Sequence, residues 1–161
     1  MRIVKSFVSV VLFGAMILGC SVNSDMSEKI MKSENGDVSF VEARNYFCKN
    51  GMDSLLTNPK ITSEGTFHEI FGMATTMGEN GKPTIIDFDK QFVVAVVLPV
   101  TDLDTRVKPE KVIDKGDRLC YVYSVEQGER MSYSIQPISI IIIDRAFERN
   151  HVVLKKKNGN D

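Results

Sequence analysis

The chain has 161 residues, 43% of them hydrophobic and 25% charged, with 20 basic against 21 acidic side chains. Nothing in that balance favours nucleic acid, and none is expected as a partner: the one basic run, Lys155-Lys156-Lys157, has no interleaved aromatics and reads as a solvated tail. Its length allows one domain of ordinary size.

The first segment is a targeting signal. Arg2 and Lys5 form a basic start, and Phe7 to Leu18 ("FVSVVLFGAMIL") is an uncharged apolar core. Twelve residues are too few to span a bilayer, which needs roughly 20, but suit a secretory signal peptide. Ile17-Leu18-Gly19-Cys20 resembles a lipobox, the bacterial lipoprotein signal of an aliphatic residue, a tolerant position, a small residue and a lipidated cysteine. Leu18 at the tolerant position departs from the usual pattern. The resemblance implies that residues 1–19 are removed and that Cys20 carries a diacylglycerol and an N-acyl chain such as palmitate, which anchor the protein to a membrane. Ser21, where an Asp would signal inner-membrane retention, points to the outer membrane of a Gram-negative envelope. Loss of Arg2 and Lys5 would shift the formal charge from −1 to −3.

Residues 20–37 are polar and poor in aliphatics, so they read as a flexible tether. A single domain is expected over 38–157, with a disordered tail at 158–161. Ser39-Phe40-Val41-Glu42 has the form of a capping box, and Phe40, Ala43 and Phe47 fall on one helical face, which predicts a helix over 40–49 capped at Asn50-Gly51. Thr66-Phe67-His68-Glu69 repeats the form and predicts a second helix over 67–73. Between them "LTNPKITS" is an irregular connection.

Beyond residue 84 the pattern is that of strands. Phe92 to Leu98 is a dense β-branched run suited to a strand buried on both faces. Val107 to Ile113 is a weaker strand ending at Lys115-Gly116-Asp117. From Arg118 to Val125 the sequence alternates, with Leu119, Tyr121, Tyr123 and Val125 on one face and Cys120, Val122 and Ser124 on the other. Gln127-Gly128-Glu129 reads as a hairpin turn, Met131 to Ile135 as its return, and Pro137 as an edge or bulge before Ile138 to Ile143. Val152 to Leu154 closes the domain. The expected class is α+β, with two N-terminal helices packed on an antiparallel sheet of about five strands.

Chemistry is sparse. "MGENGKPT" (77–84) superficially offers a phosphate-cradling Gly-Lys, but a P-loop would need glycine at Thr76 and a hydroxyl at Pro83, and a strand follows where a helix should. No nucleotide, other cofactor or metal is therefore expected. Cys48 and Cys120 are a candidate disulfide in an oxidising compartment, worth roughly 4 kcal/mol in the chain-entropy model. The alternative is that both pack as small buried hydrophobes. Cys48 with His68 would be a thiol nucleophile and base if the fold joined them. Asp87 with Asp89 and Asp102 with Asp104 are carboxylate pairs without an EF-hand glycine or a third ligand at the right spacing. His151 beside Asn150 reads as a turn residue.

The segments "DFDKQFVVAVV", "LCYVYSVEQG" and "SYSIQPISIIII", within 87–143, resemble the C-terminal domain of the small subunit of a bacterial protease complex (PrcB). "LPVTDLDTR" lacks that family's glycine-rich turn after the first strand, so no site residue is carried over. The resemblance implies a small β-rich module that binds a protein partner, such as a protease. Together these features lead us to expect a non-catalytic, lipid-anchored envelope protein that binds a protein or surface ligand through loops 78–84, 99–106 and 126–130. The alternative is an envelope hydrolase using Cys48 or an Asp pair.

Overall fold

The computed structural model describes residues 36–78, 81–148 and 150–157. The expected signal peptide, Cys20, the expected tether up to residue 35 and the expected tail 158–161 lie outside the described residues.

The described residues form ten strands and one α-helix, and the balance is 56% strand against 10% helical. The expected α+β class with two N-terminal helices is thus overturned in favour of a mostly-β fold. The strands are β1 (Asp37–Val38), β2 (Phe40–Glu42), β3 (Tyr46–Cys48), β4 (Lys60–Ile61), β5 (Phe71–Met73), β6 (Gln91–Val97), β7 (Thr101–Asp114), β8 (Arg118–Ile135), β9 (Ile138–Asp144) and β10 (His151–Lys156). Helix α1 spans Glu64–Ile70. The expected tether residue Asp37 already belongs to β1, paired with Ile113.

The segment expected as the first helix splits into β2 and β3. Asn45 breaks it with a φ of 62°, in the left-handed region, while Phe40 to Glu42 pair with Ile141 to Ile143 at a sheet edge. Pairing outweighs the local capping signal, because a short isolated helix is marginal without a packed face. Gly51, expected as a helix cap, instead leads into a 3-10 turn over Met52–Leu55. The second helix exists but begins earlier: the Ser63 side chain caps it by accepting from the Thr66 amide at 3.3 Å. It ends at Ile70, and Phe71–Met73 leave it as β5.

Three layers result. One sheet has the order β2-β9-β6-β4 and is covered on both faces. One face carries Phe92, Val94, Val96, Ile141 and Ile143, packed on Val38, Val107, Val112, Leu119 and Tyr121 of the second sheet, β1-β7-β8-β10. The other face carries Val93, Ala95, Ile140 and Ile142 beneath α1 and the two-stranded β3-β5 sheet. Phe67, Ile70, Phe71, Cys48 and Ile61 complete that second core. The near-continuous apolar runs of β6 and β9 follow from this double coverage.

β6 to β9 form one folded ribbon. β6 pairs with β9 from Gln91↔Asp144 to Val97↔Ile138, and the same two chain segments continue as β7 against β8 from Thr101↔Ile135 to Asp114↔Leu119. Pro99 and Pro137 interrupt both segments at the junction, where the ribbon doubles back so that its far half covers its near half. Pro109 lies inside β7 but beside a register shift that leaves Glu110 without a partner residue, which accommodates its missing donor. The expected wholly antiparallel sheet is also corrected: β10 runs parallel to β8 over Arg118 to Tyr123.

Candidate functional site

A mainly apolar concavity lies where α1, the β3-β5 sheet and residues 82–88 converge. It encloses about 430 Å³. Its floor is aromatic. Phe67, fully buried, has its ring 5.1 Å from Tyr46 in an edge-on arrangement, 5.2 Å from Phe71 and 5.6 Å from Phe88. Such pairs fix ring orientation as well as burying area. Met73, 57% exposed, and Ile85, 91% exposed, line the same cleft and leave large apolar side chains in water. Glu64, His68, Lys82 and Thr84 supply its polar lining.

The wall formed by 81–84 is strapped to the β2–β3 connection. The Arg44 amide donates to Thr84 Oγ1 at 3.0 Å, and the Thr84 amide returns a bond to the Arg44 carbonyl at 3.2 Å. Asn45 Nδ2 donates to the Lys82 carbonyl at 2.8 Å, and the Tyr46 hydroxyl to the Thr84 carbonyl at 2.7 Å. Gly81 is buried, and a Cβ there would overlap the Thr76 carbonyl. The glycine of "NGKP" therefore serves a close backbone approach, and Asn80 beside it lies outside the described residues. Burial of the Tyr46 ring raises its phenol above the ordinary value, so this strap stays protonated across the neutral range.

The other residues singled out in the sequence are dispersed. Cys48 is buried in the core under α1, its Sγ donating weakly to the Lys49 carbonyl at 3.7 Å. Burial, and secondarily the Asp53 charge, push its thiol up, which opposes thiolate formation. His68 Nε2 lies 3.5 Å from Glu64 on the same helix. Cys120 sits on the outer face of β8, with its neighbours Leu119 and Tyr121 turned into the core. Both thiols are free, separated by the layers of the two large sheets. Asp87 opens a turn, and its carboxylate pairs with Lys90 at 3.2 Å, which lowers its pKa. Asp102 and Asp104 lie on β7 rather than in a loop, each with its own arginine: Arg130 at 3.2 Å and Arg106 at 3.5 Å. His151 opens β10 rather than a turn. Among the described residues no group of three or more His, Cys, Asp or Glu side chains converges as a metal site.

Of the three expected binding loops, 78–84 alone borders this cleft, whereas 99–106 and 126–130 lie largely or wholly within β7 and β8. Met73, Phe67 and Ile85 were not singled out as ligand contacts. Nothing in the linear pattern distinguishes them from core residues until the β3-β5 sheet sets the helix beside 82–88. Among the described residues no helix is long and apolar enough to cross a membrane. No family model matches the chain, and neither a curated protein nor a solved structure matches it.

Proposed function

We propose that this protein is a non-catalytic binding module of the bacterial envelope, held at the membrane by a lipidated Cys20, whose cleft beside 82–88 receives apolar side chains of a protein partner. The lipobox-like "ILGC" supports the anchor. The observation that carries the binding reading is the aromatic-floored cleft whose lining includes the solvent-exposed Met73 and Ile85. A concave apolar site with a few convergent polar groups is the usual form of a binding pocket, and apolar side chains left at its rim gain free energy when a partner covers them.

A photo-crosslinking residue at Ile85 tests the cleft in living cells. It should give a discrete adduct that disappears when Met73→Glu is added, while the same probe at the distant, exposed Tyr133 gives none. An identical adduct from both positions would sink the cleft reading. Metabolic labelling with a fatty acid tests the anchor, and label persisting in Cys20→Ala would remove it. The alternative of an envelope hydrolase using Cys48 or an Asp pair would gain ground if alkylating agents modified Cys48 faster than Cys120 in the folded protein.

A further inference from the structure

The outer face of the β1-β7-β8-β10 sheet carries a second concavity, of about 480 Å³, lined by Lys111, Ile113, Lys115, Cys120, Val122, Lys155 and Lys157. The registers Lys111↔Val122 and Lys155↔Val122 set two ammonium stems on either side of one valine, and Ile113↔Cys120↔Val153 form the adjoining apolar row. Val122 is only 7% exposed although it points away from the core, as expected where lysine stems lie over it. Among the described residues none of the four ammonium groups meets a carboxylate within ion-pair distance. The acids nearby are otherwise placed: Glu110 accepts from Ser124, Asp114 from the Gly116 amide and Asn150, and Asp37 stands at the β1 edge beside Ile113.

Lysines on β10 alone would be explained as protection of an edge strand against pairing. Lys111 belongs to β7, next to the two residues that β1 pairs, and Lys115 to the turn after it, so protection of the β10 edge does not account for the group. Unpaired like charges gathered on one sheet face disfavour folding. The chain also enters the fold here. The Gly36 carbonyl accepts from the Asp114 amide, so Gly36, the first described residue, sits at the edge of this sheet. Sixteen residues (20–35) separate the proposed anchor from that edge, and a chain of that length reaches at most about 55 Å, so the sheet can lie at the bilayer surface.

We infer that this lysine-rimmed face docks on the phosphate headgroups of an anionic bilayer, holding the domain against the membrane to which Cys20 is proposed to attach it. The inference rests on the membrane attachment in the proposed function. The lysine ammonium groups meet the headgroup phosphates, and Ile113, Cys120 and Val153 face the interface between them. Each lysine brought to an anionic surface strengthens attachment about fivefold.

The test uses the full chain carrying Cys20→Ala, with vesicles of phosphatidylcholine alone or containing phosphatidylglycerol, and circular dichroism as a check that variants fold. Adding Lys111→Gln and Lys155→Gln should lower partitioning onto the anionic vesicles about 25-fold while leaving the neutral vesicles unaffected. A water-soluble maleimide, its adduct located by peptide mapping, should label Cys120 more slowly on anionic vesicles than in solution. Salt at about 0.5 M should restore the rate, because screening then acts over a few ångströms. Unchanged partitioning of the double variant, or unchanged Cys120 labelling on anionic vesicles, overturns the proposal. Protection of Cys120 by polyglutamate but not by vesicles overturns it in favour of an acidic protein partner. Failure of fatty-acid labelling at Cys20 removes the anchor alone, since the vesicle measurements are made without an acyl chain.

Discussion

The β6–β9 ladder and the β7–β8 arm are two halves of one ribbon with opposite environments. Along the ladder, Phe92 to Val96 and Ser139 to Ile143 are buried whichever way their side chains point. In the arm nearest the junction, Glu126 to Arg130 and Ser132 to Ser134 are exposed, and the ladder there is irregular, with register shifts between Thr101 and Leu103 and between Leu103 and Thr105. Side-chain attraction in that stretch comes from charge pairs: Asp102 with Arg130, Asp104 with Arg106, and Lys108 with Glu126 at 2.6 Å. Backbone pairing is common to both halves, so the difference lies in what covers the ribbon. Stability should follow burial rather than strand length.

The sharpest test of that contrast is Ile141→Ala, which removes a fully buried side chain at the centre of the ladder. A loss of about 2–5 kcal/mol is expected from equilibrium urea unfolding, combining lost transfer energy with the cavity left behind. A loss below 1 kcal/mol would mean that the ladder is no more tightly packed than the arm.

Tyr121→Phe probes the layer that joins the halves. Tyr121 is fully buried and its hydroxyl shares a 2.7 Å hydrogen bond with Ser139 of the ladder. Leaving Ser139 Oγ unpartnered in the core should cost about 1–2 kcal/mol. The same phenol gives a pH signature. Burial raises its pKa to about 12, against a lesser downward pull from the Ser139 bond. The unfolded chain releases this proton near pH 10, so between about pH 10 and pH 12 the folded state binds more protons and stability falls as pH rises. The contribution is at most about 1.4 kcal/mol per pH unit in that window. Tyr121→Phe should flatten that part of the profile, and an unaltered slope would assign it to other groups.

The smallest effect is expected from Arg130→Ala in the arm. Its partner Asp102 is half-exposed and the pair is screened, so the urea midpoint should move by less than about 0.5 kcal/mol equivalent. A loss above 1 kcal/mol would break the contrast and make the arm part of the cooperative unit.

The sequence carried these two halves unequally. The ladder was legible because burial on both faces writes an unbroken β-branched run, and the alternation from Leu119 to Val125 matches the inward turn of Leu119 and Tyr121. In the arm, Val107 to Ile113 and Arg118 to Val125 read as strands, and only 99–106 and 127–129 read as loop and hairpin turn, because those stretches hold charges and Gly128. That glycine lies within β8, where a Cβ would come 3.3 Å from Asp104 Cβ, so it serves a close cross-strand approach. The helix expected over 40–49 failed for a related reason: the edge of β9, about one hundred residues away, has a stronger claim on Phe40 to Glu42 than the local cap. Of the cleft, the strap at 81–84 was accessible as a polar turn. Its aromatic floor depends on tertiary contacts that no local pattern encodes.

The turn Lys115-Gly116-Asp117 packs against little, yet the ribbon's topology gives it a kinetic role. Asp114↔Leu119 is the pair closest in sequence, and every later pair out to Gln91↔Asp144 encloses it. Closing a long loop is slow, whereas each pair formed after its inner neighbour adds only a small increment of chain entropy. The ribbon can therefore zip outward from this turn, and β1, β2 and β10 gain complete edges to dock on only once it has. Gly116 holds a φ of +91° there with no atom outside its chain neighbours within 4 Å of a Cβ. A substitution at Gly116 should thus slow refolding by nearly as much as it lowers the equilibrium constant, leaving the unfolding rate almost unchanged.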